Sequence, residues 1–240
     1  MNLAGKTALV TGGTDGIGAQ LIRQLRYKGA TVITQGRNPE RCAATRADGF
    51  EVIEADLSAR AGVASVVAAV AGRPIDILVN NAGAGVDHDF REAAPDADAA
   101  DLAIFLNLDA PIHLITSLMP VLRSRPEAMI VNVTSGLAIA PLASSPVYCA
   151  TKAGLRSYTL ALRAQLADTN IHVLEVLPPV VETKMTAALT GKKLPVAECA
   201  RQIVAAMERN ADEANVGMVK LLQVVHSISP ALARRILINA

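Results

Sequence analysis

The sequence predicts an α/β domain built on a parallel, doubly wound sheet with helices on both faces. Two observations carry that expectation. Short apolar runs alternate with amphipathic stretches along the chain, which is the order of a βαβ series. Half of the residues, 51%, are hydrophobic and only 19% are charged. That balance suits strands covered on both faces and apolar throughout. At 240 residues one core can serve the whole chain, and no linker or internal repeat divides it. A single domain over residues 1–240 is expected, ending in an apolar tail at 221–240.

The elements follow in order. An apolar run at residues 7–11 reads as the first strand, and the amphipathic stretch 17–28 as the helix that carries the chain back. The same alternation gives strand 31–35 with helix 38–47, then strand 50–54 with helix 58–71. Residues 75–79 form the fourth strand. Residues 86–98 are polar and acidic and read as a loop before a long helix over 98–123. Strand 129–133, helix 146–168, strand 171–176 and helix 195–209 complete the series. After Glu213 the pattern weakens, with a short strand around 216–220 before the tail. Residues 128–150 carry no charge, yet they contain Asn132, Ser135, Gly136, Pro141 and Pro146. They read as a strand, a loop and a helix start rather than a membrane span.

Charge and cysteine usage narrow the function classes. The net charge is +1, with no block of Lys or Arg, whereas phosphate-backbone binding needs clustered cations. No nucleic-acid partner is expected. Cys42, Cys149 and Cys199 are scattered. They build neither a disulfide framework nor a zinc site, which points to a reducing, cytoplasmic compartment. No signal-peptide pattern fits the N-terminus. His88, His113, His172 and His226 are dispersed without metal-ligand spacing, so no metal is expected.

The chemistry sits in a few short motifs. Thr11-Gly12-Gly13-Thr14-Asp15-Gly16-Ile17-Gly18 follows a strand and opens a helix, the context of a dinucleotide fingerprint. Gly12 permits a tight turn, Gly16 lets the backbone approach a pyrophosphate, and Gly18 allows close packing of helix on strand. The helix N-terminus offers N–H groups to the anion. The alternative is a glycine turn of structural use only. Gly36-Arg37 ends the second strand. An acidic residue there would select NAD, but a cation can meet a 2′-phosphate, which points to NADP(H) over NAD(H). Asp15 argues the other way, and Arg37 could be a plain surface arginine. Asp56-Leu57, after the third strand, could reach an adenine edge, or Asp56 could cap the helix from Ser58. Asn80-Asn81-Ala82-Gly83, after the fourth strand, borders the expected cofactor crevice, or Asn81 holds neighbouring loops together.

Tyr148 and Lys152 stand four apart, about one helical turn, and project from the same face. An ammonium near a phenol favours the phenolate and lowers its pKa, which suits acid–base work near neutral pH. Tyr148 is one of three tyrosines in a chain without tryptophan. Cys149 turns about 100° away on the helix and reads as a small packing residue.

Taken in order, T-G-x-x-x-G-I-G, D-L, N-N-A-G, a helix asparagine, a strand-end serine and Y-x-x-x-K resemble the short-chain dehydrogenase/reductase family over nearly the whole chain. The resemblance implies a Rossmann-like fold, of the single-domain branch. It also implies a catalytic tetrad of Asn107, Ser135, Tyr148 and Lys152. Ser135 would hold the substrate oxygen, Tyr148 transfer the proton, Lys152 bind the nicotinamide ribose and tune Tyr148, and Asn107 position a relay water. Where the family usually has Pro-Gly after the sixth strand, this chain has Pro178-Pro179, which removes a backbone donor. Val181 and Thr183 still match carboxamide-contacting positions. The Pro-Pro variant and the short C-terminus look like the DltE-type bacterial oxidoreductases.

The implied activity is hydride transfer between NADP(H) and a small-molecule carbonyl or alcohol. The alternative is a dinucleotide-binding regulator or scaffold without turnover. Loops 83–98, 136–146 and 180–195 are mostly small and apolar, suggesting a hydrophobic substrate. Met185 and Leu189 either line that pocket or pack in the core. The tail residues Leu221, Leu222, Val224, Val225, Ile228, Leu232, Ile236 and Leu237 are expected to bury an apolar face in a homodimer or homotetramer. Membrane contact through Lys220, Arg234 and Arg235 is the weakest option, with Pro230 breaking the helix.

Overall fold

The computed structural model describes residues 1–87, 89–91 and 96–239. Seven strands, β1 (Thr7–Thr11), β2 (Thr31–Gly36), β3 (Glu51–Glu54), β4 (Ile77–Asn80), β5 (Ala128–Val133), β6 (Ile171–Leu177) and β7 (Glu213–Asn215), form one sheet. Their order is β3-β2-β1-β4-β5-β6-β7, and every pairing is parallel. Alternate side chains leave opposite faces of a strand, and the sheet has a core on each side. On one face Val10, Val79, Val131 and Val176 pack under α1 (Gly16–Tyr27) and α7 (Val196–Glu208). On the other, Leu9, Leu78, Ile130 and Val173 pack under α3 (Arg60–Ala69), α5 (Ala110–Arg123) and α6 (Pro146–Leu166). The remaining early helix, α2 (Pro39–Ala47), starts on an Asn38 cap whose side chain accepts from the Arg41 amide.

Several expectations are corrected. The long helix expected over 98–123 is two helices, α4 (Ala97–Ile104) and α5, joined by a π-helical turn at Phe105–Asp109. It is long and apolar enough to cross a membrane, yet Leu114, Ile115, Leu118 and Leu122 are buried against the sheet. The strand expected near 216–220 lies earlier, at β7. Gly217, at φ +55°, turns the chain out of the sheet, and Val219 already belongs to a helix. The tail is a pair of helices, α8 (Val219–Ile228) and α9 (Pro230–Leu237). Pro230 does not merely break it: Ser229 caps α9 by accepting from Leu232 N–H. The pair leans on the loop after β5 through the Ala143 N–H to Ile238 O bond, 2.9 Å. Its outer stripe, Leu221, Val224, Ile228, Leu232 and Ile236, is exposed in the single chain. His88 and part of the expected loop over 86–98 lie outside the described residues.

Candidate active site

The chain leaves β1 toward β2 and β3, then returns to place β4 on the other side of β1. Such a reversal opens a crevice at the carboxyl ends of the strands. A cleft of about 600 Å³ occupies that place. Every cofactor-binding position expected from the sequence borders it, as do Ser135, Tyr148 and Lys152. Asn107 stands just behind the wall.

The glycine turn is held from three strands. Gly12 has φ +66°, and a Cβ there would sit 2.9 Å from Ala82 Cα. A Cβ on Gly18 would lie 2.2 Å from Gly12 O and 2.6 Å from Asn81 Nδ2. Gly18 therefore packs against the turn itself, not simply helix on strand. Asn81 Nδ2 donates to Thr11 O at 2.9 Å and Gly12 O at 3.3 Å, so its side chain does tie loops together while bordering the cleft. Gln35, which the sequence reading passed over, accepts from Gly12 N–H at 3.0 Å and donates to Ala55 O at 2.5 Å. Asp15 caps α1 by accepting from Gly16 N–H at 2.8 Å. Ile17 and Gly18, next in that first turn, border the cleft.

At the β2 end, Gly36 has a steric reason to be glycine, because a Cβ would lie 2.5 Å from Thr14 Cγ2. Arg37 is exposed at the rim. Arg41, on α2, was missed: its Nη1 stands 2.7 Å from Asp15 Oδ2, and Lys184 Nζ stands 4.0 Å from the same oxygen. The Asp15 carboxylate is thus matched by cations on two sides. Asp56 does not cap a helix, since α3 starts at Arg60 behind Ala59. It accepts from Ser58 N–H at 2.9 Å. Burial works to raise its carboxyl pKa, but the Ser58 bonds and the Arg37 guanidinium bring it below the ordinary value.

Strand β5 and helix α6 present Ser135, Tyr148 and Lys152. Ser135 leaves β5 in extended backbone, and its Oγ accepts from Leu137 N–H at 3.1 Å. Its own proton is left to donate. Ser135 and Tyr148 line the cleft together, and the serine hydroxyl acts to lower the phenol pKa. Lys152 is 4% exposed; its Nζ donates to Val133 O at 2.9 Å and stands 5.7 Å from the centroid of the Tyr148 ring. Burial pulls Lys152 down to about 8. Burial also pushes Tyr148 up to about 12, against the lowering influence of Ser135. The expected lowering of the phenol by Lys152 is not what this geometry gives, because the ammonium is turned to the Val133 carbonyl. Asn107 sits in the π turn, fully buried. Its Oδ1 accepts from Ala84 N–H at 3.0 Å and its Nδ2 donates to Ala84 O at 2.8 Å. One donor and one acceptor position remain on its amide.

The nearby segments close the site. Val181 is buried and Thr183 opens a short 3₁₀ turn, with its Cγ2 against Gly16. Pro178 O accepts from Gly136 N–H at 2.9 Å. Met185 and Leu189 are both exposed, so neither packs in the core, and Met185 borders the cleft. Cys149 is buried, with Sγ 3.3 Å from Leu142 N, and burial raises its thiol pKa.

Comparison with known proteins places this geometry in a family. The model of the short chain dehydrogenase family matches residues 6–194, so the chain belongs to that family. It is 41% identical over 197 residues to the uncharacterized oxidoreductase DltE of Bacillus subtilis, across 80% of this chain and 78% of that protein. A short chain dehydrogenase from Burkholderia cenocepacia, solved in complex with NADP, superposes with a TM-score of 0.89 at 29% identity over 100% of both chains. L-sorbose reductase from Gluconobacter frateurii, solved with NADPH and L-sorbose, gives 0.78 at 26% identity over 92% of this chain and 99% of that one.

Proposed function

As a member of the short chain dehydrogenase family the protein is an oxidoreductase, and we propose that it moves a hydride between NADP(H) and a carbonyl or alcohol substrate through Ser135, Tyr148, Lys152 and Asn107. The observation that carries the reading is that Ser135, Tyr148 and the buried Lys152 line the same cleft as the glycine turn. The cleft suits a dinucleotide. Gly12 and Gly18 leave no room for a Cβ within the turn, Gly16 takes φ +51° at the cleft, and the α1 N-terminus faces the same space. Gly12 to Gly18 would hold the pyrophosphate, Asp56 and Leu57 the adenine, and Pro178, Val181 and Thr183 the carboxamide. Bound there, the nicotinamide supplies or accepts the hydride.

The chain's own groups handle the proton. Ser135, with its lone pair engaged by Leu137, donates to the substrate oxygen. Tyr148 gives its proton to that oxygen in reduction and takes it in oxidation. Together they polarise the carbonyl with fixed donors. Lys152, held on Val133 O, would use its remaining protons to hold the nicotinamide ribose. Asn107 holds Ala84 and keeps a donor and an acceptor for a relay water.

The NADP preference rests on Arg37 and Arg41 at the β2 end and on the pairing that balances Asp15. The small, apolar loops favour a hydrophobic substrate. The test is a screen of carbonyl compounds for NADPH consumption, repeated with Tyr148→Phe. That variant keeps the ring and loses the proton. Turnover should fall ~10²–10⁴-fold with cofactor affinity nearly intact. Near-normal turnover in Tyr148→Phe would sink the assignment.

A further inference from the structure

Behind the site lies a buried ion cluster that the proton chemistry does not use. Glu175 projects from β6 on the face that also carries Ile171 and Val173, and it is 0% exposed. An apolar residue there would avoid the desolvation cost of a carboxylate. Its two oxygens are instead shared between two elements. Thr134 Oγ donates to Oε1 at 2.7 Å, and Arg156 Nη1 donates to Oε2 at 2.7 Å. The second nitrogen of Arg156 reaches Glu213 on β7 at 3.2 Å.

The partners are next to the reacting groups. Thr134 immediately precedes Ser135 at the end of β5. Arg156 stands one turn beyond Lys152 and two turns beyond Tyr148 on α6, along the same face. We propose that Glu175 is a positioning residue: its carboxylate clamps the strand end that presents Ser135 to the helix that presents Tyr148 and Lys152. The clamp fixes the spacing and orientation of the serine and tyrosine hydroxyls, which must converge on one oxygen. This inference rests on the tetrad reading above.

Rate is sensitive to such alignment, since a misplacement of ~1 Å can cost ~10²-fold. Removing Glu175 alone takes from Arg156 the nearer of its two carboxylate partners and endangers folding, so the milder end of the clamp gives the cleaner test. Thr134→Val keeps the volume and the Glu175–Arg156 pair and deletes one hydroxyl. We expect kcat to fall by about tenfold or more. KM for NADPH and its Kd by calorimetry should stay within about twofold, while the melting temperature should fall by a few degrees, because a buried Glu175 oxygen loses its donor. Thr134→Ser, which restores the hydroxyl, should recover most of kcat. Glu175→Gln combined with Thr134→Val should lose no more kcat than the worse single variant, because both cut the same link.

Wild-type kcat in Thr134→Val overturns the clamp. So does a Thr134→Ser variant as slow as Thr134→Val, or a loss of kcat matched by an equal loss of cofactor affinity. Tyr148→Phe, assayed alongside, separates the two readings. An active Tyr148→Phe overturns the tetrad, whereas an active Thr134→Val beside an inactive Tyr148→Phe overturns the clamp alone.

Discussion

Lys152 carries a burial cost that can be read out against pH. Loss of water lowers its pKa from 10.5 to about 8. Between those values the unfolded chain binds more protons than the folded one, so stability rises with pH across the window. The difference of about 2.5 units corresponds to roughly 3 kcal/mol at ~1.36 kcal/mol per unit. That cost is complete below the folded value and gone above the unfolded one. Most of it, ~2–3 kcal/mol, should be recovered between pH ~7 and ~10. Tyr148 acts in the opposite sense, since its raised pKa of about 12 makes stability fall as pH climbs past 10; the measurement therefore stops there. Lys152→Met removes the titration and keeps much of the stem's packing. Urea unfolding of both proteins, stripped of nucleotide, at half-unit pH steps gives the difference free of every other ionisation. Relative to the variant, the wild type should gain ~2–3 kcal/mol from pH ~7 to ~10. A flat difference would mean that the ammonium is hydrated in the folded state, and the burial argument for Lys152 would fail.

Other expectations concern the ends of the molecule. Arg37→Asp should weaken NADPH far more than NADH in a calorimetric titration, and Arg41→Met should do the same while freeing Asp15 to oppose the 2′-phosphate; a wild type that already prefers NADH would overturn both. The outer stripe of α8 and α9 is expected to pair with a second copy of the chain. Burying even part of it at ~25 cal/mol per Å² is worth several kcal/mol. Ile228→Glu, at a position 80% exposed in the single chain, should halve the mass seen by light scattering. A wild type that is monomeric at micromolar concentration would refute the pairing.

Which features the sequence disclosed follows from the range of the interactions that create them. The glycine turn, the apolar strands and the Tyr148–Lys152 pair are local patterns, and the structure brings their residues to one cleft. The β4 boundary shows where local reading stops. Ile75 is apolar and buried, so the run looked like strand from there. Asp76 instead turns its carboxylate to Thr7 N–H and Arg125, and the named strand starts at Ile77. The π turn was illegible because residues 105–109 are compatible with ordinary helix. The contact that uses it, Asn107 on Ala84, spans 23 residues. Arg41 looked like any polar residue on an exposed helix face until α2 set it against Asp15. Glu175 did leave a trace: one carboxylate in a run from Ile171 to Leu177 that is otherwise apolar apart from His172. A charge that breaks a strand's pattern needs a partner, and only the packing of α6 and β5 could say that the partners adjoin Ser135 and Lys152. The residues proposed to perform the chemistry were thus written as motifs. Those proposed to align them were written as exceptions to a pattern, and their meaning required the fold.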